Sequence, residues 1–448
     1  MTDTKTFYKK FFLLMIPMAL KELISSLVNL VDTIMVGQLG ESSIAAVGIG
    51  NQVYFLYTVF LFGLSCGAGV FSSQFWGIQD VKSMRKILGL NLVLSVVLSA
   101  IFMLVAAVFP VQIFKSFHAD APTLSEGVTY LRIVCIGYIA TAITTAFDSS
   151  VCSSEKAALP FLVRAIGLVV NIFLNWVLIF GKLGAPVMGI KGAAIATVIA
   201  RYSEFAVMLG VVYGKKMIQA AKPKELFSIP RDLVVRFFQT SSPVILNEMA
   251  WSVGIFMYSW VFARISPDAM VIVTIVQNVE RLMLVFFHGS GNAGGVFIGK
   301  AVGAGRYDEA YTYGKRLIVL SAITSVLLSV VFILCRPLIL LPYQVSAEVY
   351  TECMRLLIVI AVMMNIKSIT FLLIVGAFRN GGDTRSAMLI DVGCVWLVGV
   401  PMVVLGGLIL HLPLIVSYAM MCAEEVVKIF ISVRHFKTKK WIKNVVQA

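Results

Sequence analysis

Two stretches of the sequence decide the fold, because they repeat each other. Residues 17–37 read PMALKELISSLVNLVDTIMVG, and residues 243–263 read PVILNEMAWSVGIFMYSWVFA. Extended to 17–77 and 243–303, the two stretches align without a gap, and 15 of the 61 positions are identical. The matches include a proline, a glutamate and three glycines, which apolar composition alone does not readily produce. The sequence therefore predicts two related halves.

Apolar side chains dominate the whole chain of 448 residues. They make up 59% of it, and only 13% of the residues are charged, whereas a soluble domain is about 45–50% apolar and about 25% charged. This composition excludes an ordinary cytosolic enzyme. A membrane-spanning helix needs about 20 apolar residues, and hydropathy predicts twelve of them. The predicted spans are 11–36, 51–76, 88–113, 128–148, 160–180, 190–213, 233–262, 272–298, 316–335, 352–376, 387–409 and 412–433.

The basic residues are distributed unevenly between the two ends of these spans. The segments on the side of the N-terminus carry 23 Lys and Arg, and the opposite loops carry five. Positive charge near span ends is held on the cytoplasmic side. The sequence thus predicts a multi-pass protein of the inner or plasma membrane with both termini in the cytoplasm. The net charge of +14 reflects this topology, and we expect no nucleic-acid partner.

The predicted fold is an all-α integral membrane protein with twelve transmembrane helices in two six-helix lobes. Because each half has an even number of spans, the repeats are parallel and related by a pseudo-two-fold axis along the membrane normal. The expected division is an N-terminal lobe over 1–213, a basic cytoplasmic linker over 214–232 and a C-terminal lobe over 233–448. Secondary transporters use such repeats to alternate access to a central site.

Ionisable residues inside predicted spans are the first candidates for function, because a charge at the bilayer centre costs at least about 2.5 kcal/mol. Asp32 shares one polar helical face with Glu22 and Asn29. A carboxylate among hydroxyl and amide oxygens suits Na⁺ or a proton. Glu248, in span 7, repeats the theme. Asn171 and Asn175, one turn apart in span 5, are expected to join Asp32 together with Thr197, although structural hydrogen bonding between helices explains such amides equally well.

Other polar residues in the spans are predicted to line a substrate cavity or to bond helices together. They are Asn51, Gln52, Gln277, Asn278, Arg281 and His288, the last a candidate proton carrier. Lys367 and Asp391 are opposite in sign, and we expect them to pair with each other or with Glu248. No disulfide framework or zinc site is expected, because the seven cysteines are scattered and never spaced as C-x-x-C. No catalytic residue or cofactor is expected either, since no two carboxylates or histidines fall at metal or acid/base spacing on a shared span. Gly294, Gly299 and Lys300 resemble part of a phosphate-binding loop, but Ala301 replaces the required Ser or Thr. ATP is therefore not an expected partner.

Four segments resemble the multidrug and toxic compound extrusion (MATE) family. They are VDTIMVG at 31–37, NIFLNWVLIFG at 171–181 with GIKGAAIAT at 189–197, GKAVGAG at 299–305 and FRNGGDTR at 378–385. The resemblance spans the chain and implies an antiporter, in which entry of Na⁺ or H⁺ drives export of organic cations. It implies that Asp32, Asn171 and Thr197 belong to the family's N-lobe cation site, where Asn175 stands in place of an acid of some members. Glu248 matches the span-7 acid of members with a C-lobe site, but their span-10 acid is missing and Lys367 lies nearby.

The sequence therefore favours a monomeric, non-enzymatic antiporter that exports amphiphilic organic cations in exchange for H⁺ or Na⁺. The loop at 77–85 lacks the G-x-x-x-D-R-x-G-R pattern expected of the major facilitator fold. A flippase or exporter for a lipid-linked or anionic compound, in the same superfamily, remains the alternative because the predicted cavity carries charges of both signs.

Overall fold

Long helices dominate the computed structural model, which describes residues 4–341, 343 and 345–447. The helices of the first half are α1 (Thr4–Gly37), α2 (Glu41–Gly77), α3 (Val81–Val108), α4 (Pro110–Ser116), α5 (Ala121–Val134), α6 (Gly137–Ser153), α7 (Ala158–Phe180), α8 (Ile190–Gly214) and α9 (Pro223–Phe227). Those of the second half are α10 (Arg231–Ile265), α11 (Pro267–Gly303), α12 (Tyr307–Leu340), α13 (Ala347–Phe371), α14 (Thr384–Cys394), α15 (Val400–Val404), α16 (Leu414–Met421) and α17 (Ala423–Lys437). Within the described residues, the only β-type pairing is the isolated bridge between Gly382 and Ile442. The predicted all-helical class is confirmed.

The described helices follow the predicted spans, with differences where helices break. Ten are long and apolar enough to cross a membrane, and α5 with α6, bent by 46°, forms an eleventh. The predicted span 88–113 is divided at Phe109, where α3 ends and α4 begins at Pro110. The predicted span 412–433 consists of α16 and α17, which meet at Cys422. Each of these two predicted spans is thus divided between two helices, as is the predicted span 128–148, in which α5 ends at Val134 and α6 begins at Gly137.

Two helices of the second half continue in π-helical conformation. The helix that begins with α13 continues over Leu372–Arg379, and α14 and α15 are joined and extended by Val395–Gly399 and Leu405–Ile409. Such wide turns are frequent at functional sites. They carry Arg379 and Gly399 to the polar interior described below.

Contacts divide the chain into two compact units. One combines the residues up to Ala19 with those from Gln239 onward, and the other runs from Leu20 to Phe238. The helix α1 therefore contributes to both, and its Pro17 lies near the division. The second-half unit has one large apolar core, which includes Phe262, Val276 and Leu357. The unit from Leu20 to Phe238 has separate apolar clusters, one around Tyr57 and Tyr138 and one around Phe147 and Met208.

The C-terminal segment packs against the loop that precedes α14. Trp441 is fully buried and stacks on Phe436 with ring centroids 5.3 Å apart. Asp383 lies 2.7 Å from Lys443 Nζ and 2.9 Å from His435 Nε2. Burial by itself would raise the pKa of Asp383, but hydrogen bonds from Lys443, Ser386 and His435 outweigh it and hold that pKa below its ordinary value. The carboxylate thus anchors the segment.

Candidate functional site

Asp32 lies near the end of α1, in the polar centre of the unit from Leu20 to Phe238. Asn175 Nδ2 donates to Asp32 Oδ1 at 2.5 Å, and the same nitrogen lies 3.2 Å from Asn171 Oδ1. Both asparagines are fully buried and lie one turn apart on α7. Among the described residues, Asn171 Nδ2 and Asn175 Oδ1 have no hydrogen-bond partner. The structure thus brings three predicted residues together and leaves polar atoms beside the carboxylate available for a further partner.

Thr197, the fourth residue predicted for this site, is bonded within its own helix. Its hydroxyl donates to the carbonyl of Ala193 at 3.0 Å. One turn further along α8, the Arg201 guanidinium lies 5.8 Å from the Tyr54 ring and 3.1 Å from Glu204 Oε1. Arg201 is also close enough to attract Asp32 electrostatically. The cation that neighbours the Asp32 site is therefore an arginine that the sequence analysis did not single out.

Further buried charges of this unit were also missed. Arg164, on α7, lies 2.7 Å from Glu204 and 3.5 Å from Asp148. The side chains of Arg164, Glu204 and Asp148 are 13%, 2% and 6% exposed. The signal was present in the sequence, because Arg201 and Glu204 are separated by three positions in a predicted span and therefore share a helical face. The cost of intramembrane charge should have singled out these residues as it did Asp32.

Glu248 is paired with an arginine in the second-half unit. Arg379 Nη1 lies 2.7 Å from Glu248 Oε1, and the two side chains are 4% and 16% exposed. The neighbouring Asn247 donates to Asp391 at 3.1 Å, and Lys428 Nζ lies 2.9 Å from the other oxygen of Asp391. Neither Arg379 nor Lys428 was predicted as a site residue. Each of these two carboxylates is thus ion-paired with a cationic side chain of the protein itself.

The predicted pairing of Lys367 is wrong. Its ammonium lies 2.5 Å from Glu280 Oε1, on α11, and pairs with neither Asp391 nor Glu248. Helix periodicity places a residue on a face of its own helix but does not say which helix that face meets, and Glu280 was missed for this reason. Lys367 and Glu280 line a small, partly enclosed cavity with a volume of about 60 Å³. Gln277, Tyr258, Glu424 and Glu425 also line it.

The remaining residues predicted for a substrate cavity belong partly to one unit and partly to the other, and each is described within its own unit. Asn29, Gln52, Asn278 and Arg281 are exposed, whereas Asn51 is half-buried. Glu22 lies 3.6 Å from the ammonium of its neighbour Lys21. His288 stacks on Phe371 with ring centroids 4.6 Å apart. Their predicted role as cavity residues stays a prediction.

Comparisons with known proteins agree with the repeat and the helices. The family model described as MatE matches residues 17–177 and again 243–405. The chain is 24% identical to an uncharacterized transporter, YisQ, of Bacillus subtilis, over 92% of this chain and 90% of that protein. It is 23% identical to the probable multidrug resistance protein NorM of Thermotoga maritima, over 98% of this chain and 94% of that protein.

A solved structure gives the same fold at low sequence identity. A variant of the Vibrio cholerae MATE transporter VcmN superposes with a TM-score of 0.90 at 18% identity, over 100% of this chain and 100% of that chain. This likeness supports the predicted twelve-helix, two-lobe fold. Since both repeats match the family model and the fold agrees over the full length, the chain belongs to the MATE family of membrane transporters.

Proposed function

We propose that this transporter exports amphiphilic organic cations in exchange for H⁺ or Na⁺, with Asp32 as the residue that couples the two movements. The observation that carries the proposal is the Asp32 carboxylate held by Asn175, with unpartnered amide atoms beside it among the described residues. An acid inside a transmembrane helix is costly and persists where it serves transport. The relatives named as multidrug resistance proteins support export of drug-like compounds.

Of the two ions, the surrounding charges favour the proton. Arg201 attracts Asp32 in the first site, and Arg379 is paired with Glu248 in the second-half unit. A fixed guanidinium disfavours any added positive charge at the same carboxylate, a proton included. A proton, however, binds to a single carboxylate oxygen, whereas a hard metal cation needs several oxygen ligands at once, and a carboxylate engaged by a guanidinium offers fewer of them. The sequence analysis expected Lys367 near the second-half acid; the cation next to Glu248 is Arg379 instead. The proposed location is the plasma or inner membrane, with both termini in the cytoplasm.

The experiment is export of a fluorescent organic cation from proteoliposomes, with a pH gradient and a Na⁺ gradient imposed separately. We expect the pH gradient to drive export by the wild type and Asp32→Asn to abolish it, because an amide cannot exchange a proton. Asp308→Asn is the matched control, since Asp308 is an exposed acid whose partner, Lys439, is also exposed. Wild-type export by a folded Asp32→Asn variant refutes the coupling role.

Buried cations of the unit from Leu20 to Phe238 support a second candidate function. Arg164 and Arg201 are 13% and 14% exposed, lie on α7 and α8 and share the carboxylate of Glu204. An anionic group that takes the place of Glu204 would meet two buried guanidinium groups, which suit such a group. The same proteoliposomes loaded with an anionic amphiphile test this alternative. Export of the anion without export of the organic cation would replace the first proposal with a carrier of anionic or lipid-linked compounds.

A further inference from the structure

Glu424 is a buried carboxylate that has no cation of its own. It lies on α17, is 8% exposed and accepts a hydrogen bond from the Tyr258 hydroxyl at 2.5 Å. Within the described residues, no Lys or Arg pairs with it, although Glu280 pairs with Lys367 and Glu248 with Arg379. A buried carboxylate without a paired charge favours its neutral form. Glu424 therefore differs from the acids around it.

The charges near Glu424 do not balance. Among the described residues of this polar interior, five carboxylates, Glu248, Glu280, Asp391, Glu424 and Glu425, face three cations, Lys367, Arg379 and Lys428. Lys428 is shared, because it lies 2.9 Å from Asp391 and 3.3 Å from Glu425. Glu425 also accepts a hydrogen bond from Thr370 at 2.6 Å. The groups that act electrostatically on Glu424 or line its cavity are Lys428 and Glu425 on the same helix and Tyr258, Glu280, Lys367, Cys394, Tyr418 and Cys422 on neighbouring segments. Neutralising the excess negative charge requires added positive charge. Among these described acids, Glu424 is the one at which an added proton would compete with no existing ion pair.

The internal repeat relates Glu424 and its neighbours to the positions of the proposed Asp32 site in the first half. The alignment of 17–77 with 243–303 sets Tyr258 opposite Asp32 and Glu280 opposite Tyr54. The two matched family segments, 17–177 and 243–405, keep nearly the same offset to their ends, and continuing it sets Glu424 opposite the turn around Thr197. At each of these three places, one half has a hydroxyl and the other an acid. The second half thus combines hydroxyl groups and acids as the first half does. The acid on the first helix of the repeat in the first half corresponds to a hydroxyl in the second half, where an acid lies on the last helix instead.

A glycine in the neighbouring backbone makes room for the hydrogen-bonded side chains of Tyr258 and Glu424. Gly399 ends the π-helical turn after α14, and a side chain there would overlap both the Tyr258 hydroxyl and Glu424 Oε2. Glu424 and Tyr258 also line the cavity described above, whose volume of about 60 Å³ is enough to hold water next to the carboxyl group. The absence of a side chain at Gly399 thus leaves room for the hydrogen bond beside the cavity.

We propose that Glu424 carries a second exchangeable proton in the transport cycle, with Tyr258 as its positioning residue. The proton leaves the carboxyl group for water in the cavity, and the carboxylate that remains accepts the Tyr258 hydrogen bond and faces the ammonium of Lys367. This inference rests on the proposed exchange of protons for organic cations. It assigns the second half a proton site that does not include Glu248.

The first test detects the proton directly. Infrared difference spectra are recorded as the pH is raised on the full-length protein in lipid nanodiscs, with Asp32→Asn present in every sample so that the first proton site does not contribute. They are expected to show loss of the carbonyl band of a protonated carboxylic acid. Glu424→Gln should remove this band, and Glu352→Gln should keep it, because Glu352 is a surface acid paired with Arg355. A band that persists in Glu424→Gln overturns the inference.

A second variant and a transport assay keep the proposal testable if Glu424→Gln does not fold. Tyr258→Phe retains the acid but removes its hydrogen-bond donor, so that the band should stay and shift in frequency; an unshifted band overturns the role of Tyr258. In proteoliposomes, Glu424→Gln should reduce the number of protons moved per organic cation. Wild-type export without proton movement overturns the proposed function as well, whereas proton movement that Glu424→Gln leaves unchanged overturns this inference alone.

Discussion

The ion pair between Glu248 and Arg379 predicts that Glu248→Gln destabilises the protein before it affects any ion site. The variant leaves a guanidinium that is 4% exposed next to a neutral amide. With charge centres about 4 Å apart and an effective dielectric of about 20, the lost attraction is about 4 kcal/mol. Measured losses on breaking buried pairs are about 3–5 kcal/mol. Since Glu248 is 16% exposed, we expect the lower end, about 3 kcal/mol.

The assay is a double-mutant cycle of the free energy of unfolding in mixed micelles. Glu248→Gln, Arg379→Gln and the double variant are compared with the wild type. The double variant should lose less stability than the two single variants together, because each single change leaves one buried charge without its partner. Transport by the double variant separates the two roles of Glu248: recovered stability with lost export would show that the carboxylate also serves coupling. Effects that add within about 0.5 kcal/mol refute the reasoning.

Three further predictions follow from other sites. Lys367→Ala removes the partner of Glu280 and should shift the pH dependence of transport while leaving any Na⁺ dependence unchanged; an unaltered pH profile contradicts this. Gly192→Ala should cost about 1–3 kcal/mol of stability, because the new methyl carbon would lie 2.6 Å from backbone atoms of α7, whereas Gly210→Ala meets no atom within 4 Å and is the control. The lowered pKa of Asp383 stabilises the folded C-terminal segment at every pH above the ordinary value of about 3.9. Protection of the backbone amides of that segment, measured as the exchange rate relative to the intrinsic rate at the same pH, should therefore stay constant from neutral pH down to this value. It should fall only as the pH drops through the lower, folded-state pKa.

The sequence was sufficient to predict what depends on one helix or on the repeat. Span positions follow from hydropathy, and the grouping of Asp32 with Asn171 and Asn175 follows from polar faces together with the family resemblance. The sequence was not sufficient to predict which charged residues on different helices pair with each other. Lys367 and Glu280 lie on α13 and α11, and their pairing depends on how those two helices pack. Periodicity assigns each residue to a face, but the choice of partner depends on this packing and on the π-helical turns that rotate Arg379 into place.

The division of the chain also has a consequence for its biogenesis. The unit from Leu20 to Phe238 is continuous in sequence, so that all its parts are synthesised before the segments from Gln239 onward. The other unit needs the first half of α1 to pack with segments that begin only at Gln239. Domains generally fold as units during synthesis, N-terminal first. The early part of α1 must therefore wait in the membrane for its partners, and this helix is where assistance from an insertase or chaperone would matter most.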